Sequence, residues 1–195
     1  MSSSKKALIA TRNIDKYTLI TLMLKNSICP DYQFEYLESI DEEIVDVKET
    51  GDVLNRALQK AKNAFLNIKD NNYDLIVGVD DGILIKNKMI ENVKEIIKPI
   101  LENTFLEEGE IIYLVKAFSF INKNGNKKSF VCEVPFKYQK LEEKVSIKKN
   151  TYPLNNVFVP IGMKETLTEM DDALDTKYFL KYSIDKLNDV KEILL

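Results

Sequence analysis

Two adjacent carboxylates, Asp80 and Asp81, come directly after an apolar segment, residues 74–79, that is typical of a buried strand. Open α/β sheets bind ligands at the carboxyl ends of their strands, so this position favours a binding site. Adjacent carboxylates repel each other unless a proton or cation lies between them, and Mg²⁺ prefers oxygen ligands. The pair therefore predicts a magnesium site, which Glu43 in the acidic segment 38–49 could complete. The alternative is an Asp-Asp-Gly turn beside a solvated acidic loop.

The first loop of the chain has the features of an anion-binding site. A short apolar strand, residues 6–10, leads through Thr11, Arg12 and Asn13 to the start of a helix. The free N–H groups at a helix N-terminus carry a partial positive charge. Lys16, one turn into the helix, could reach a bound phosphate. The alternative is that Thr11 or Asn13 only caps the helix and that Lys16 is a solvated lysine.

Two further side chains are candidates because of their chemistry alone. Lys60 lies on the helix predicted after the acidic segment and could neutralise a phosphate, although a single lysine is most often a surface residue. Tyr152 precedes the last predicted strand and could stack on a nucleobase, although it could also be a core aromatic residue.

The composition excludes several classes of site. The chain contains no histidine, so it has no Ser-His-Asp or Cys-His nucleophile, no histidine-ligated zinc and no histidine-ligated haem. Its two cysteines, Cys29 and Cys132, are far apart in sequence, which predicts reduced thiols rather than a metal cage or redox pair. Neither a Walker loop nor a GxGxxG motif is present.

The charge balance argues against nucleic acid or an anionic membrane as the main partner. There are 28 lysines and arginines against 31 acidic residues, which gives a net charge of −3. No apolar run approaches the roughly 18–20 residues that a membrane span needs. The N-terminal residues lack the apolar stretch and cleavage site of a signal peptide, so we expect a cytoplasmic protein.

The apolar pattern predicts the elements that position these residues. It indicates strands over residues 6–10, 32–37, 74–79, 111–121, 129–136 and 157–160, and helices over 16–24, 52–66, 90–101 and from 176 onward. Residues 83–85 continue in an extended conformation and Asn87-Lys88 forms a turn. Asn124-Gly125 predicts a hairpin between two of the strands. The expected fold is one α/β domain over residues 1–195, with a mixed sheet, helices on its faces and a long antiparallel ribbon.

Taken in order, several segments resemble the inosine triphosphatase family, the non-canonical purine nucleoside triphosphate pyrophosphatases. Residues 10–16 resemble its T-G-N-x-x-K phosphate loop, and residues 77–82 resemble its strand that ends in D-D-S-G or D-S-G. Further similar segments are residues 42–44 (a metal-binding Glu segment), 49–61 (E-T-G…N-A-x-x-K-A) and 157–170 (P-I-F-x-P…K-T-x-A-E-M). The resemblance extends over most of the chain through short, imperfect motifs.

The resemblance implies a two-lobed fold with a central cleft and Mg²⁺-dependent hydrolysis of nucleoside triphosphates to monophosphate and pyrophosphate. Glu43 and Asp80 would bind the metal. Asp80 would activate the water, with Asp81 as the second candidate and Lys60 assisting in catalysis. The substrate-binding residues would be Thr11, Arg12, Asn13 and Lys16 at the phosphates and Tyr152 and Lys181 at the base. The family also implies a homodimer.

The departures from the family pattern keep other functions open. Arg12 replaces a glycine, Asp81 replaces a serine, and the P-G-x-x-S-A-R segment is missing. The base-reading motifs are altered: residues 152–156 replace Phe-Gly-Tyr-Asp-Pro, and residues 179–181 replace S-H-R. One alternative is therefore a nucleotide-binding or dimeric scaffold without catalysis. Another is a hydrolase of a different nucleotide or phosphate ester.

Overall fold

A computed structural model describes residues 5–40, 44–45, 47–68, 72–141 and 152–194. Within these residues, one mixed sheet contains the strands β1 (Lys6–Ala10), β2 (Gln33–Tyr36), β3 (Leu75–Ile85), β4 (Lys88–Ile90), β5 (Ile111–Asn122), β6 (Lys127–Tyr138) and β7 (Phe158–Pro160). The α-helices are α1 (Ile14–Lys25), α2 (Val53–Asn67), α3 (Lys94–Leu101) and α4 (Asp172–Leu194), and a short 3₁₀ helix covers Pro153–Asn156.

The sheet has the strand order β2-β1-β3-β5-β6-β7, and β4 pairs with the C-terminal part of β3. β1 runs parallel to β2 and β3, whereas β3, β5, β6 and β7 are successively antiparallel. β5 and β6 pair from Ile111 opposite Lys137 to Ile121 opposite Lys127. The predicted α/β class, mixed sheet and long antiparallel ribbon are therefore confirmed.

Helices cover both faces of the sheet because its strands are apolar on both sides. In β1, Ala7 and Ile9 belong to a large core cluster with residues of α1 and α4, whereas Leu8 packs in a second cluster with residues of α2. This alternation follows from the pleat, which points successive side chains to opposite faces. A strand that is buried on both faces has consecutive apolar residues in its sequence, and residues 7–10 of β1 show this pattern.

Helix α2 lies directly on the centre of the sheet. Its buried residues Ala57, Ala61 and Ala64 form a face of small side chains. A Cβ atom added to Gly78 of β3 would lie 2.0 Å from the carbonyl oxygen of Ala57 and 2.7 Å from the backbone nitrogen of Ala61. Gly78 is therefore required for the close approach of helix and strand, and this contact holds α2 beside the polar part of β3.

Three element boundaries differ from the sequence prediction by about four residues or more. The strand predicted over residues 74–79 continues to Ile85, so Asp80 and Asp81 lie within β3 and not after it. Helix α3 begins at Lys94 and not at residue 90, because Lys86 and Asn87 have φ values of 48° and 62° and form a turn into β4. Helix α4 begins at Asp172, before the predicted residue 176, and the Asp171 side chain accepts a hydrogen bond from Leu174 N at 2.7 Å.

Helix α4 packs against α1 and β6 and contributes Phe179, Leu187 and Val190 to the core. Although it has 23 residues, charged side chains recur along its length. Within the part of the chain that the structure describes, no helix is both long and apolar enough to cross a membrane.

Candidate functional site

A cleft opens where β1 ends and β3 continues. The last pair between these strands joins Ala10 and Gly78, whereas β3 runs on to Ile85. In the pairings of the described residues, Val79–Gly82 have β5 on one side and no strand on the other. The N-terminal parts of α1 and α2 lie on either side of this gap. The resulting cavity of about 780 Å³ extends from Asp80 and Asp81 to the 3₁₀ helix and the start of α4.

The pleat of β3 directs Asp80 and Asp81 to opposite faces of the sheet. On the α2 face, Asp80 Oδ2 lies 2.7 Å from Arg56 Nε and Oδ1 lies 2.6 Å from Lys60 Nζ. On the other face, Asp81 Oδ2 lies 2.8 Å from Lys16 Nζ and Oδ1 lies 2.8 Å from Lys116 Nζ. Each carboxylate oxygen is therefore bound by a different cation.

Local geometry explains how the four cations reach the two carboxylates. Arg56 and Lys60 are four residues apart on α2 and so share one face of that helix. Lys116 is the direct cross-strand partner of Asp81 in β5, which puts both side chains on the same face of the sheet. Lys16 lies in the first turn of α1, whose N-cap Asn13 accepts a hydrogen bond from Lys16 N at 2.9 Å.

For three of these groups, Asp81, Lys16 and Arg56, the ion pairs shift the pKa in the direction that favours the charged form. Burial by itself would raise the pKa of Asp81, but the ammonium groups of Lys116 and Lys16 outweigh it and hold that pKa well below its usual range. Burial would lower the pKa of Lys16, yet the carboxylate of Asp81, with smaller contributions from Asp80 and Glu49, raises it. The pKa of Arg56 is also raised, since its bonds to Asp80 and Glu91 exceed the effect of burial.

Two further carboxylates extend the network on the α2 face. Glu49 Oε2 lies 3.2 Å from Lys60 Nζ, and Glu91 Oε2 lies 2.8 Å from Arg56 Nη1. Both glutamates line the cleft. The site is thus a balanced array of opposite charges, in which an incoming polyanion could bind the cations by replacing carboxylates.

The arrangement does not fit an Mg²⁺ ion held by the protein alone. All four oxygens of Asp80 and Asp81 are already bound by lysine or arginine nitrogens. No group of three or more His, Cys, Asp or Glu side chains that could hold a metal occurs among the residues that the structure describes. The other predicted ligand, Glu43, lies outside the described residues. In addition, the two aspartates point to opposite faces of the sheet, so they are not placed to hold one ion between them.

The structure brings together most of the residues that the sequence singled out. Those that line the cleft are Asn13, Lys16, Lys60, Asp80, Asp81 and Tyr152. Thr11 and Arg12 line an adjoining cavity of about 540 Å³, which shares Lys60 with the cleft. Arg12 there donates to Glu38 and to the carbonyl of Ile44, both at 2.7 Å.

Lys181 is not among the residues that line the cleft. Its side chain is exposed, and its ammonium group lies 5.2 Å from the centre of the Tyr182 ring. The structure therefore does not bring this predicted base contact to the other site residues.

Three important site residues were missed by the sequence reasoning. Arg56 had a signal, because it is one of two arginines in the chain and precedes Lys60 by four residues on a predicted helix. Lys116 also had one, since it interrupts the apolar run Val115-Lys116-Ala117 of a predicted strand. Asp175 had no comparable signal, because it lies just before the predicted start of the last helix.

The part of the cleft at the start of α4 combines aromatic side chains with two buried polar atoms, Asp175 Oδ1 and Thr176 Oγ1, that have no hydrogen-bond partner among the residues that the structure describes. Tyr152 and Phe179 line it together with Asp175 and Thr176. Burial, and to a lesser extent the charge of Asp81, raises the pKa of Tyr152 to about 12. Burial raises the pKa of Asp175 to about 6, with Lys116 opposing the shift and Asp172 adding to it. The polar atoms here therefore have fewer protein partners than the carboxylate oxygens of Asp80 and Asp81, each of which has a cation bound.

Known structures share this fold over nearly the whole chain. A Ham1 protein from Staphylococcus aureus is 15% identical and covers 97% of this chain and 98% of its own, with a TM-score of 0.60. A HAM1 protein from Coxiella burnetii is 15% identical with the same coverage and a TM-score of 0.57. A nucleoside triphosphatase, described as a dITP/XTP pyrophosphatase, from Mycobacterium abscessus is 16% identical, covers 95% and 97%, and has a TM-score of 0.55.

These similarities confirm the fold that the sequence resemblance implied. No family model matches the chain, and no curated protein matches its sequence.

Proposed function

We propose that this protein is a nucleoside triphosphate pyrophosphatase, which cleaves the bond between the α- and β-phosphates. The observation that carries the proposal is the convergence of Lys16, Arg56, Lys60 and Lys116 on Asp80 and Asp81 in one cleft. The shared fold supports the choice of reaction, since one similar structure is described as a dITP/XTP pyrophosphatase.

The cations would bind the triphosphate by exchanging their present partners. A triphosphate carries several negative charges, and charge-assisted bonds to lysine and arginine are the usual way to hold them. Lys16 and Lys60 approach from α1 and α2, on opposite sides of the gap beside β3. They are therefore well placed to hold two different phosphates, and Asn13 at the N-terminus of α1 can add N–H donors nearby.

Asp80 would then act as the general base. When a phosphate takes over the bond of Lys60, Asp80 Oδ1 becomes free to accept a proton from water. The water oxygen forms a bond to the α-phosphorus, the α–β bridging oxygen leaves with pyrophosphate, and the proton passes to Asp80. Lys60 and Arg56 stabilise the charge that develops on the phosphates. Asp81 is the second candidate for the base.

Mg²⁺ is not assigned a protein site in this proposal. A magnesium ion held by Asp80 and Glu43, as the sequence predicts, would require Arg56 or Lys60 to release Asp80 first. The side-chain cations by themselves provide positive charge at the place where the family resemblance implies a metal.

The direct test is release of pyrophosphate from inosine, xanthosine, deoxyuridine and the standard triphosphates, with Mg²⁺ and with EDTA. We expect equal amounts of monophosphate and pyrophosphate from at least one substrate, and no orthophosphate. The double variant Lys16→Met/Lys60→Met lacks the proposed phosphate-binding lysine of each helix. It should be inactive, which would show that the activity belongs to this cleft and not to a contaminating enzyme. Orthophosphate alone would identify a different hydrolase.

A nucleotide-binding scaffold without catalysis is the second candidate. It is favoured by the ion pairs of Asp80 and Asp81, because each of their four carboxylate oxygens already has a cation bound and a general base needs one that can reach water. Binding of a triphosphate without any turnover across the substrate panel would support this candidate and overturn the first. The homodimer implied by the family is a separate proposal, which light scattering during gel filtration would test.

A further inference from the structure

We propose that Asp175 and Thr176, which line the cleft at the start of α4, bind the nucleobase through N–H groups that the base donates. The inference rests on the proposed function, because it assumes that a nucleotide places its phosphates at Lys16 and Lys60. It adds a specificity-determining pair at a position where neither the fold similarity nor the sequence resemblance places one.

The first observation is a pair of buried polar atoms without partners. Asp175 Oδ1 and Thr176 Oγ1 are both buried and form no hydrogen bond with the residues that the structure describes. Thr176 is only 3% exposed, and both residues line the cleft. An unsatisfied buried polar atom is costly, and a carboxylate oxygen especially so, which points to a ligand that supplies the missing bonds.

The second observation is the character of the surrounding wall. The aromatic residues Tyr152 and Phe179 and the apolar residues Leu22, Leu167 and Met170 line the same cavity. Flat aromatic and apolar surfaces suit a planar heterocycle, which can stack on a ring and present a polar edge. A ribose is polar around its whole circumference and matches such a wall less well.

The chemistry of the two groups fixes the polarity of the ligand. An ionised carboxylate only accepts hydrogen bonds, so its partner must be a donor, whereas the threonine hydroxyl can accept or donate. The favoured ligands are bases with an N–H on the six-membered ring or its amino substituent. Purine riboside has no such group, so its triphosphate should bind poorly.

Lys116 connects Asp175 and Thr176 with the ion pairs around Asp81. Its ammonium group bonds to Asp81 at 2.8 Å and lies 5.5 Å from the centre of the Phe179 ring. Lys116 also acts electrostatically on Asp175. One residue thus lies between the phosphate-binding candidates and the base-binding candidates, as a single bound nucleotide requires.

The test uses calorimetric binding of non-cleavable α,β-methylene triphosphates by the full chain. Wild-type protein should bind the inosine analogue about 10- to 100-fold more tightly than the purine riboside analogue, the range for one hydrogen bond to a charged group. In the nearly isosteric variant Asp175→Leu, that ratio should fall to about one. Asp172→Leu, three residues earlier on the same helix at an exposed position of the cleft, is the matched control and should keep the ratio.

Other results would overturn the inference. An unchanged inosine-to-purine-riboside ratio in a folded Asp175→Leu variant would do so. The inference would also be wrong if Asp175→Leu instead removes a difference in affinity between the inosine and 2′-deoxyinosine analogues, because the contact would then be to the ribose. If Asp175→Leu does not fold, Asp175→Asn replaces it, and its neutral amide should lower the ratio to less than about 10-fold, the range for a neutral hydrogen bond.

Inorganic tripolyphosphate separates this inference from the proposed function. Binding of tripolyphosphate together with no preference among the bases would overturn the base contact alone. If wild-type protein binds neither tripolyphosphate nor any analogue, the proposed function itself is wrong and the base contact with it.

Discussion

Lys116 and Asp81 face each other across β5 and β3, with Nζ 2.8 Å from Oδ1. Lys116 is only 3% exposed, and the Asp81 carboxylate supplies an opposite charge beside its buried ammonium group. Asp81 in turn bonds to Lys16 of α1. A single carboxylate thus joins a helix to the centre of the sheet, and it does so at the floor of the cleft.

Lys116→Met should lower the free energy of unfolding by about 2–4 kcal/mol, because the partly buried Asp81 carboxylate would keep one cation in place of two. Urea denaturation measures the change. Lys128→Met is the matched control on the neighbouring strand β6, since Lys128 pairs with Glu192 at the surface. Equal losses in the two variants would show that the burial of Lys116 has no special importance.

Asp80→Asn should abolish pyrophosphate release while the fold stays intact. The amide removes the base but can still accept a hydrogen bond from Arg56, so we expect a loss of at least about 100-fold in turnover with little change in melting temperature. The exposed Asp185→Asn variant of α4 is the control. Near-normal turnover by Asp80→Asn would remove Asp80 from the mechanism.

Millimolar Mg²⁺ alone should not stabilise the protein. A ligand raises the melting temperature only if the folded state binds it, and the oxygens of Asp80 and Asp81 are already bound by cations. Thermal unfolding in MgCl₂ and in NaCl of equal ionic strength makes the comparison. A rise in melting temperature that is specific to Mg²⁺ and absent in Asp80→Asn would demonstrate a protein-held ion.

The stability of the protein should depend on pH through Asp175. Its pKa is raised from 3.8 to about 6 by burial, with Lys116 of β5 opposing and Asp172 of α4 adding to the shift. The folded state therefore binds more protons than the unfolded state between about pH 4 and pH 6, and the wild type loses stability as the pH rises through that range. Asn cannot titrate, so Asp175→Asn should match the wild type near pH 4 and exceed it by up to about 3 kcal/mol at pH 7.

Denaturation curves of both proteins between pH 4 and pH 8 measure this difference. A constant offset across that range would show that the Asp175 carboxyl does not titrate differently in the folded and unfolded states.

Gly78→Ala should destabilise the fold by about 3 kcal/mol or more, because the added Cβ would overlap the backbone of α2 at Ala57 and Ala61. Gly162→Ala provides the contrast. A Cβ at Gly162 would have no heavy atom within 4 Å, so that variant has only the strain of its φ value of +88°. Comparable effects of the two substitutions would contradict the close helix-to-strand contact.

Much of the fold was predictable because local signals agreed with the tertiary arrangement. The apolar run of β1, the periodicity of α2 and the Asn-Gly turn between β5 and β6 each predicted the element that forms. Strand β4 was not predicted, because the periodicity over residues 90–101 indicates a helix, whereas the turn before it was predicted at Asn87-Lys88, one residue later than the left-handed pair Lys86 and Asn87. That turn depends on left-handed backbone angles that neither residue type requires.

The candidate site was predictable in its chemistry but not in its pairing. Asn13, Lys16, Lys60 and Asp80 were identified from residue type and spacing, and they do line one cleft. Arg56 and Lys116 each have a local signal, but their roles were not predicted, because the sequence does not show which distant carboxylate each would pair with. Asp175 was missed because it lies just before the predicted start of the last helix, at residue 176.

The amino-acid sequence by itself determined the order of the elements and the set of side chains able to bind phosphate or move a proton. Tertiary structure decided which charges neutralise each other. The pleat sends the neighbours Asp80 and Asp81 to opposite faces of β3, and the register with β5 places Lys116 beside Asp81. Both effects arise only when strands pair, because strand pairing is a long-range interaction that sets each side chain's face and neighbours.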